Sequence, residues 1–444
     1  MQQLFVKNNH ALKLVVMVML LSLLSGCVKD HHFPPTTSHE KADVVYDWYK
    51  TIIRIHLNTT PGPVPLQNFR AFSYVGIGLY EAVQPGTRGA VSLSSKLYQM
   101  PSMPKADHHK QYAWEASANA ALASLFRKFS ANLNNVSNAT IDSLENAWNN
   151  RIRSYTHEDV FARSQGFGRS VATAIYNWST SDNFNLSGVG YQLPVFPGAW
   201  ELTPPSFPAP VGPFLKNTRP FLESSLSVNA PPLPFPYSPE PSSQFYKAAK
   251  EVYNIGNALT PEQKLIANRW ADVGGPGVGH AGGGHVLFIV TEVLENKKVR
   301  LGEAAEMYAK TGIALKEVIY RVWKGKYAVN LLRPVTYIND HIDGEWMSYL
   351  SSPPYPDYPS GLAAFYSAAL QVIKRQYGDI PVTDNAYVWR GETPRKFPSL
   401  TKLVEETGDS RIYAGIHYRF TQEITIKFAG DLGSTIYEMN LTGK

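Results

Sequence analysis

Residues 301–323 read LGEAAEMYAKTGIALKEVIYRVW, and apolar residues recur along this stretch at intervals of three and four positions. This spacing places them on one face of an α-helix and predicts a helix of roughly six turns. Alternating strand patterns and Asn-Gly turns are nearly absent from the chain, so the predicted fold class is all-α. The same periodicity predicts ten further helices, over residues 42–55, 69–83, 112–129, 141–155, 160–178, 243–256, 261–270, 286–295, 362–377 and 411–428.

A proline-rich segment divides the predicted helices into two groups. Fourteen of the 32 prolines lie between positions 194 and 241, and proline is incompatible with the interior of a regular helix. The segment also carries many aromatic residues, which favours an ordered strap packed over the helices; a disordered interdomain linker is the alternative. We predict two helical bundles, residues 42–185 and 243–444, joined by a proline-rich strap at residues 186–242.

The first 41 residues predict an export signal and a tether. An apolar run at residues 14–24 is too short to span a bilayer comfortably and ends at Leu24-Ser25-Gly26-Cys27. This ending resembles the lipobox of bacterial lipoproteins, in which the cysteine is acylated. We predict a lipoprotein signal peptide at residues 1–27, a flexible tether at residues 28–41 and a lipid-anchored protein of the bacterial cell envelope, in the outer membrane and facing the periplasm or the cell surface. An ordinary cleaved signal peptide is the alternative.

Charge and cysteine content narrow the chemistry. The chain has 42 basic and 36 acidic residues, a net charge of +6, and its basic residues are scattered along the sequence. This distribution argues against a nucleic-acid partner. Cys27 is the single cysteine, so the mature domain that follows it has no disulfide or thiolate chemistry of its own.

Three short segments in the last third of the chain predict a basic site for a tetrahedral oxyanion. They are Lys326-x6-Arg333-Pro334, Pro359-Ser360-Gly361 and Ser410-Arg411-x5-His417. Three cationic groups, a hydroxyl and a glycine amide can donate hydrogen bonds to such an anion, and the imidazole can bond to its central atom. Singly, the segments have ordinary explanations: a solvated helix end, a serine cap and a buried structural histidine. Together they predict one shared site, which we call the oxyanion cage.

The predicted helices explain how the cage residues can meet. Lys326 lies at the end of a long helix that Pro334 interrupts. Gly361 opens the next helix, whose unpaired N–H groups and positive end favour an anion. Arg411 enters the last predicted helix, and His417 lies nearly two turns further along it.

These motifs resemble the signature of the vanadium-dependent haloperoxidases and the type 2 phosphatidic acid phosphatases. Nearly the whole mature chain resembles the soluble, two-bundle haloperoxidase-like branch. Beyond the three motifs, the resemblance is carried by residues 69–85, 166–169, 200–213 and 270–272. The membrane phosphatases carry several spanning helices, whereas no segment after Cys27 is long and apolar enough to span a bilayer.

The resemblance implies roles for the cage residues and their neighbours. His417 would be the axial ligand of vanadate in a haloperoxidase, or the nucleophile that forms a phosphohistidine in a phosphatase. Trp323 and Tyr355 stand where haloperoxidases place aromatic residues near the halide, although core packing explains them equally well. Asp272 would pair with an arginine of the cage. The oxygens of vanadate or phosphate would be held by Lys326, Arg333, Ser360, Gly361 and Arg411.

Two positions depart from the family pattern. The family motif Pro-Ser-Gly-His ends here in Leu362, which has no proton to give or take, whereas the family histidine is the acid–base group. Thr421 stands four residues after His417, where the family often has an aspartate that orients the histidine. Because the oxyanion donors are kept while both proton-handling groups are replaced, we expect binding to survive better than turnover.

A glycine-dense loop before residue 286 contains two further candidate histidines, His280 and His285. The family has a Gly-His pair at about this place, and we predict that one of these histidines lines the mouth of the pocket. The alternative is a flexible loop whose histidines face water. The loop lacks the ending of a nucleotide-binding P-loop, and the spacing of the histidines is not a zinc pattern.

Three functions are compatible with these residues. The first is a haloperoxidase-like oxidoreductase that uses vanadate, peroxide and halide. The second is an acid phosphatase that uses His417 as its nucleophile and a phosphate ester as its substrate. The third is a non-catalytic lipoprotein that binds phosphate or vanadate. Fold alone does not decide between them.

Overall fold

The computed structural model describes residues 36–59, 64–130, 135–274, 278–280 and 282–441. Over these residues the fold is helical, apart from one short hairpin of two antiparallel strands, and the predicted all-α class is confirmed. The α-helices are α1 (Asp43–Leu57), α2 (Pro65–Val83), α3 (Trp114–Phe129), α4 (Asn135–Arg153), α5 (Glu158–Ser179), α6 (Gln244–Gly256), α7 (Pro261–Arg269), α8 (Gly284–Asn296), α9 (Leu301–Val329), α10 (Pro334–His341), α11 (Gly361–Tyr377), α12 (Leu400–Tyr413) and α13 (Arg419–Tyr437). The strands are β1 (Val382–Asp384) and β2 (Arg395–Phe397).

Helix α9 is the centre of the core. It is buried along most of its length and packs against both α2 and α11. Two glycines allow α2 and α9 to approach closely: a Cβ atom on Gly76 would lie 2.4 Å from the Tyr308 carbonyl oxygen, and one on Gly312 would lie 3.0 Å from the Cα atom of Ser73. The ring of Tyr49 on α1 stacks on Tyr308 at 3.9 Å between centroids. This packing fixes the first half of α9, and Lys326 lies in the last turn of the same helix.

The described residues of Pro35–Ala106 and Tyr112–Lys444 form one compact unit, and their main apolar cluster contains residues of both predicted bundles. The described part of the other, smaller unit is Asp107–Gln111, a turn in which the His109 amide donates to Asp107 Oδ1 at 3.0 Å. The predicted domain limits at residues 42–185, 186–242 and 243–444 stay a prediction.

The proline-rich segment between α5 and α6 is anchored to α9 and its C-terminal end. The Trp200 amide donates to the Asn330 carbonyl oxygen at 2.6 Å, and the side chain of Trp200 is 1% exposed. Trp323 Nε1 and the Tyr327 hydroxyl, both on α9, donate to the carbonyl oxygen of Val211 at 3.2 and 2.8 Å. The segment therefore covers the end of α9 that carries Lys326.

The C-terminal helices differ from the prediction. The helix predicted over residues 411–428 is wrong, because the chain breaks between α12 and α13 at Gly415, whose φ of +77° lies in the left-handed region that favours glycine. Helix α9 also continues beyond the predicted end at residue 323 and stops at Asn330, which has a φ of +50°. Helix α10 and most of α12 were not predicted, since their polar residues obscure the helical apolar period.

In the part of the chain that the structure describes, the helices are too short or too polar to cross a membrane. The predicted signal peptide, Cys27 and residues 28–35 of the predicted tether lie outside the described residues.

Candidate functional site

Lys326 lies in the last turn of α9 and is completely buried. Its Nζ atom donates to the carbonyl oxygens of Pro356 and Asp357 at 2.7 and 3.0 Å. Burial, followed by the charge of Arg333, holds the pKa of Lys326 well below its usual value. An anion placed beside this ammonium group would reverse that shift, because it would stabilise the charged form.

Arg333 lies immediately before α10, where Pro334 takes the first helical position. Its Nε atom donates to the Tyr355 carbonyl oxygen at 3.0 Å, and Nη1 donates to that of Ile416 at 2.7 Å. Nη1 also lies 3.2 Å from Nε2 of His417. The Nη2 atom is buried and has no hydrogen-bond partner among the described residues. An unpaired guanidinium N–H is therefore available inside the protein.

His417 lies in the short connection between α12 and α13 and is 3% exposed. Burial, and then the charges of Arg333, Lys326 and Arg411, hold the pKa of His417 well below its usual value. This shift favours the neutral form of the imidazole. The structure thus brings the three predicted cations around one neutral histidine, although these residues come from four different elements.

Arg411 lies near the end of α12, so it does not share a helix with His417 as the sequence predicted. Its Nε atom donates to Ser410 Oγ at 3.0 Å and its Nη2 to the Ala267 carbonyl oxygen at 3.2 Å. Burial lowers the pKa of Arg411 to about 10, and the charge of Asp272 opposes this effect. Arg411 remains charged at neutral pH.

Ser360 precedes α11, and Gly361 is the first residue of that helix. The Ser360 amide donates to Thr425 Oγ1 at 3.0 Å, whereas the Ser360 hydroxyl is buried without a hydrogen-bond partner in the described residues. A Cβ atom on Gly361 would lie 3.5 Å from the Trp323 ring, an ordinary contact. The protein neighbours would therefore tolerate a methyl group here, and packing does not require the glycine.

Asp357 was not predicted as a site residue, but its carboxyl group lies inside the cage. Its Oδ1 atom is 2.9 Å from His417 Nδ1 and 3.9 Å from Arg333 Nη1. Burial raises the pKa of Asp357 to about 7, against the effects of Arg333 and Lys326. A sequence signal existed: Asp357 is the single acidic residue between Glu345 and Asp379, and it lies three residues before Ser360.

The two predicted aromatic residues lie beside the cage. The Tyr355 ring centroid is 4.9 Å from Lys326 Nζ and 5.3 Å from the Arg333 guanidinium carbon. Trp323 packs edge-on against Tyr355, with 5.1 Å between centroids. The two rings form an apolar wall next to the cations, and this wall strengthens electrostatic interactions by keeping water away.

The two positions that depart from the family pattern are both structurally ordinary. Leu362 is half-buried in the first turn of α11 and packs against the main core cluster. Thr421 is buried in the first turn of α13, where its hydroxyl donates to the Tyr418 carbonyl oxygen at 2.7 Å. The Thr421 side chain lies close enough to Asp357 to oppose the rise in the pKa of that carboxyl group that burial causes. Thr421 thus lies next to the carboxyl group that contacts His417.

Asp272 joins a buried network next to Arg411. Its Oδ1 atom is 2.9 Å from His285 Nδ1, and its Oδ2 atom accepts from the Tyr366 hydroxyl at 2.9 Å. His285 Nε2 lies 3.0 Å from Asp384 Oδ2, which also accepts from Arg269 Nη2 at 2.7 Å. Burial disfavours the charged form of His285, but the two carboxylates outweigh it and raise the pKa of His285 to about 9.

Neither candidate histidine of the glycine-dense loop faces water. His285 is completely buried, and both of its ring nitrogens are occupied by carboxylates. His280 is 2% exposed, and its Nε2 atom lies 2.7 Å from the Ala386 carbonyl oxygen. Burial and the charge of His285 lower the pKa of His280 to about 4. A role for either histidine at the pocket mouth stays a prediction.

The donor set fits a tetrahedral oxyanion. Three cationic side chains, a buried unpaired guanidinium N–H and a buried unpaired hydroxyl all favour an acceptor with several oxygens and a negative charge. Over the described residues, no group of three or more histidine, cysteine or acidic side chains could hold a metal cation. The cationic side chains and the unpaired donors would suit an oxyanion such as vanadate or phosphate, and Nε2 of His417 would be the atom available to its central atom.

Comparisons with known proteins found relatives for the C-terminal region and for the fold. Residues 306–442 match the family model of the VCPO second helical-bundle domain. The vanadium chloroperoxidase of Curvularia inaequalis is 24% identical over 187 residues, which cover 30% of this chain and 31% of that protein. The aligned region thus spans about a third of the curated relative.

Solved structures share the fold over most of the chain. The crystal structure of the first bacterial vanadium-dependent iodoperoxidase is 27% identical, with a TM-score of 0.77 over 91% of this chain and 98% of that one. A holo-type bacterial vanadium-dependent chloroperoxidase is 18% identical, with a TM-score of 0.61 over 85% and 92%. The predicted resemblance is confirmed: the chain has the fold of the bacterial vanadium-dependent haloperoxidases, and its C-terminal third matches the VCPO second helical-bundle domain.

Proposed function

We propose that this protein binds vanadate in the oxyanion cage and uses it to oxidise halide with hydrogen peroxide, at a reduced turnover. The observation that carries the proposal is the buried imidazole of His417, whose Nε2 atom lies 3.2 Å from Arg333 Nη1 and which also feels the charges of Lys326 and Arg411. The similarity to vanadium-dependent iodoperoxidase and chloroperoxidase supports vanadate as the oxyanion.

Each cage residue has a defined task in this proposal. Lys326, Arg333 and Arg411 neutralise the oxyanion, while the Ser360 hydroxyl and the Gly361 amide donate hydrogen bonds to its oxygens. His417 contributes the lone pair of Nε2. When bound, vanadate supplies a Lewis-acid centre that activates hydrogen peroxide toward halide. The rings of Trp323 and Tyr355 limit access of water.

The expected weakness lies in proton transfer. Leu362 cannot exchange a proton, and a positioned acid–base group typically contributes about a hundred- to ten-thousand-fold in rate. Halides that are easily oxidised should therefore be better substrates than those that are difficult to oxidise. The same residue favours the non-catalytic alternative, in which the cage only binds the anion.

An acid phosphatase is the second candidate, because a neutral buried histidine surrounded by cations is also suited to attack a phosphate ester. Without a group that protonates the leaving alkoxide, such an enzyme would need substrates with good leaving groups. A phenol-type phosphate ester is therefore the appropriate probe.

We expect the purified full-length chain to bind orthovanadate and to oxidise iodide with peroxide only when vanadate is present. His417→Ala should weaken vanadate binding by more than about 100-fold, because loss of even an outer-shell partner typically weakens metal binding by 10- to 100-fold. Calorimetric titration gives the affinity, and triiodide absorbance gives the rate. The matched control is His341→Ala. His341 lies on α10, where it bonds the Tyr237 hydroxyl, and its replacement should leave the affinity and the rate unchanged.

Three other results would change the proposal. If the chain hydrolyses the phosphate ester, if vanadate inhibits this hydrolysis, and if iodide is not oxidised, the protein is a phosphatase. Tight vanadate binding with neither activity would establish a binding protein. Absence of both vanadate and phosphate binding by the folded chain, together with absence of ester hydrolysis, would exclude all three functions.

We also propose that Cys27 is acylated and anchors the protein to the cell envelope. The Leu-Ser-Gly-Cys ending of the apolar run is the basis of this proposal. Labelling of expressing bacteria with a fatty-acid analogue should mark the protein, and Cys27→Ser should abolish the label. Equal labelling of the Cys27→Ser chain would contradict the proposal.

A further inference from the structure

Asp357 and His417 contact each other inside the cage. Oδ1 of Asp357 lies 2.9 Å from Nδ1 of His417, and both side chains are buried. The distance is that of an ion pair, whereas the angle falls short of a hydrogen bond, and neither atom has another hydrogen-bond partner among the described residues. Two buried, unpaired groups at this distance gain free energy by pairing with each other.

The opposite side of the imidazole indicates where its proton lies. Nη1 of Arg333 is 3.2 Å from Nε2 of His417. A guanidinium group has donors and no acceptor, so this contact requires a lone pair on Nε2. A neutral imidazole with a lone pair on Nε2 carries its proton on Nδ1, the atom that faces Asp357.

The loop that carries Asp357 is held by the cage itself. Lys326 donates to the carbonyl oxygens of Pro356 and Asp357, and Arg333 Nε donates to that of Tyr355. The Asp357 amide donates to the Leu331 carbonyl oxygen at 2.9 Å. The carboxyl group is therefore fixed by the same side chains that would hold the oxyanion.

We propose that Asp357 is the positioning residue of His417: it accepts a hydrogen bond from Nδ1 and so keeps the lone pair on Nε2, the nitrogen that faces Arg333 and would face the oxyanion. The family often has an aspartate at the position of Thr421, and Asp357 would supply the carboxylate that this chain lacks there. A carboxylate partner also makes the opposite ring nitrogen a better donor to a metal centre. The proposal rests on the proposed function, because it concerns the same cage.

The test measures the tautomer of His417 before any oxyanion is added. In protein labelled with ¹⁵N-histidine, long-range ¹H–¹⁵N correlation should show the Nδ1–H tautomer for His417 in the wild-type chain, with the resonance assigned by His417→Gln. Asp357→Ala should shift His417 toward the Nε2–H form and weaken orthovanadate binding by about 10- to 100-fold. Asp431→Ala, which removes an exposed carboxylate on α13, should change neither quantity.

A rescue variant separates positioning from a merely structural effect. Asp357→Ala combined with Thr421→Asp should recover both the Nδ1–H tautomer and most of the lost affinity. Should Asp357→Ala not fold, Asp357→Asn keeps the shape and removes the charge, and it should weaken vanadate binding while His417 keeps its Nδ1 proton. An unchanged tautomer together with unchanged affinity in the folded variants would overturn the inference.

The two proposals fail in distinguishable ways. A wild-type chain that shows the Nδ1–H tautomer but binds no vanadate would remove the proposed function and keep the positioning role. A wild-type chain that binds vanadate with His417 in the Nε2–H form would remove the positioning role and keep the proposed function.

Discussion

We expect Leu362→His to raise the kcat of vanadate-dependent iodide oxidation by about 100- to 10,000-fold. The substitution restores the acid–base group of the family motif next to Ser360 and Gly361, where the oxyanion would bind. Leu362 is half-buried at the start of α11, so an imidazole of similar size can replace it without disturbing the core. Steady-state rates with saturating vanadate measure the gain.

The matched control for this gain is Leu362→Asn. Asparagine adds a polar group of similar size but has no proton to exchange near neutral pH, so kcat should stay near that of the wild-type chain. Equal gains for histidine and asparagine would mean that polarity matters and proton transfer does not. An unchanged kcat in Leu362→His, with vanadate binding intact, would contradict the account of why turnover is reduced.

Asp384→Ala should destabilise the folded chain by about 3–5 kcal/mol, the usual effect of removing one partner of a buried ion pair. Asp384 is completely buried and bonds Arg269, His285 and the Ala386 amide. Its loss leaves the guanidinium of Arg269 with Glu392 as its remaining carboxylate partner. Urea unfolding followed by circular dichroism measures the change.

The exposed pair Lys427–Asp431 provides the comparison, since Asp431→Ala should lower the free energy of unfolding by less than about 1 kcal/mol.

The buried network of Asp384 and His285 also predicts that stability depends on pH. The pKa of His285 is raised to about 9, so its contribution to stability is complete below pH 6.5 and is lost as the pH rises toward 9. In His285→Gln this contribution is absent, and the stability difference from the wild-type chain should shrink over that pH range. A stability difference between the two chains that grows as the pH rises from 6.5 to 9 would contradict this predicted direction.

The helical fold was predictable because long amphipathic segments such as residues 301–323 carry a clear period. The break before His417 was not, because it depends on Gly415 adopting a left-handed conformation inside an otherwise helical pattern. Local sequence therefore predicted that Arg411 and His417 are near each other, but for the wrong reason. Packing brings them together from the end of α12 and the connection to α13.

The cage was predictable to the extent that its residues stand in short motifs. Lys326, Arg333 and His417 were predicted from three short motifs taken together; in the structure Arg333 Nη1 lies 3.2 Å from His417 Nε2, and Lys326 is close enough for its charge to lower the pKa of His417. Asp357 was missed because its contact with His417 joins residues 60 positions apart in sequence, and no motif spacing encodes it. The burial of His285 between two carboxylates was missed for the same reason.

A crystal structure of the chain soaked in orthovanadate tests the central claim most directly. We predict vanadium within bonding distance of His417 Nε2, with its oxygens contacting Lys326, Arg333 and Arg411. Vanadate bound elsewhere, or a cage that stays without vanadate while the crystals contain it at saturating concentration, would contradict the account.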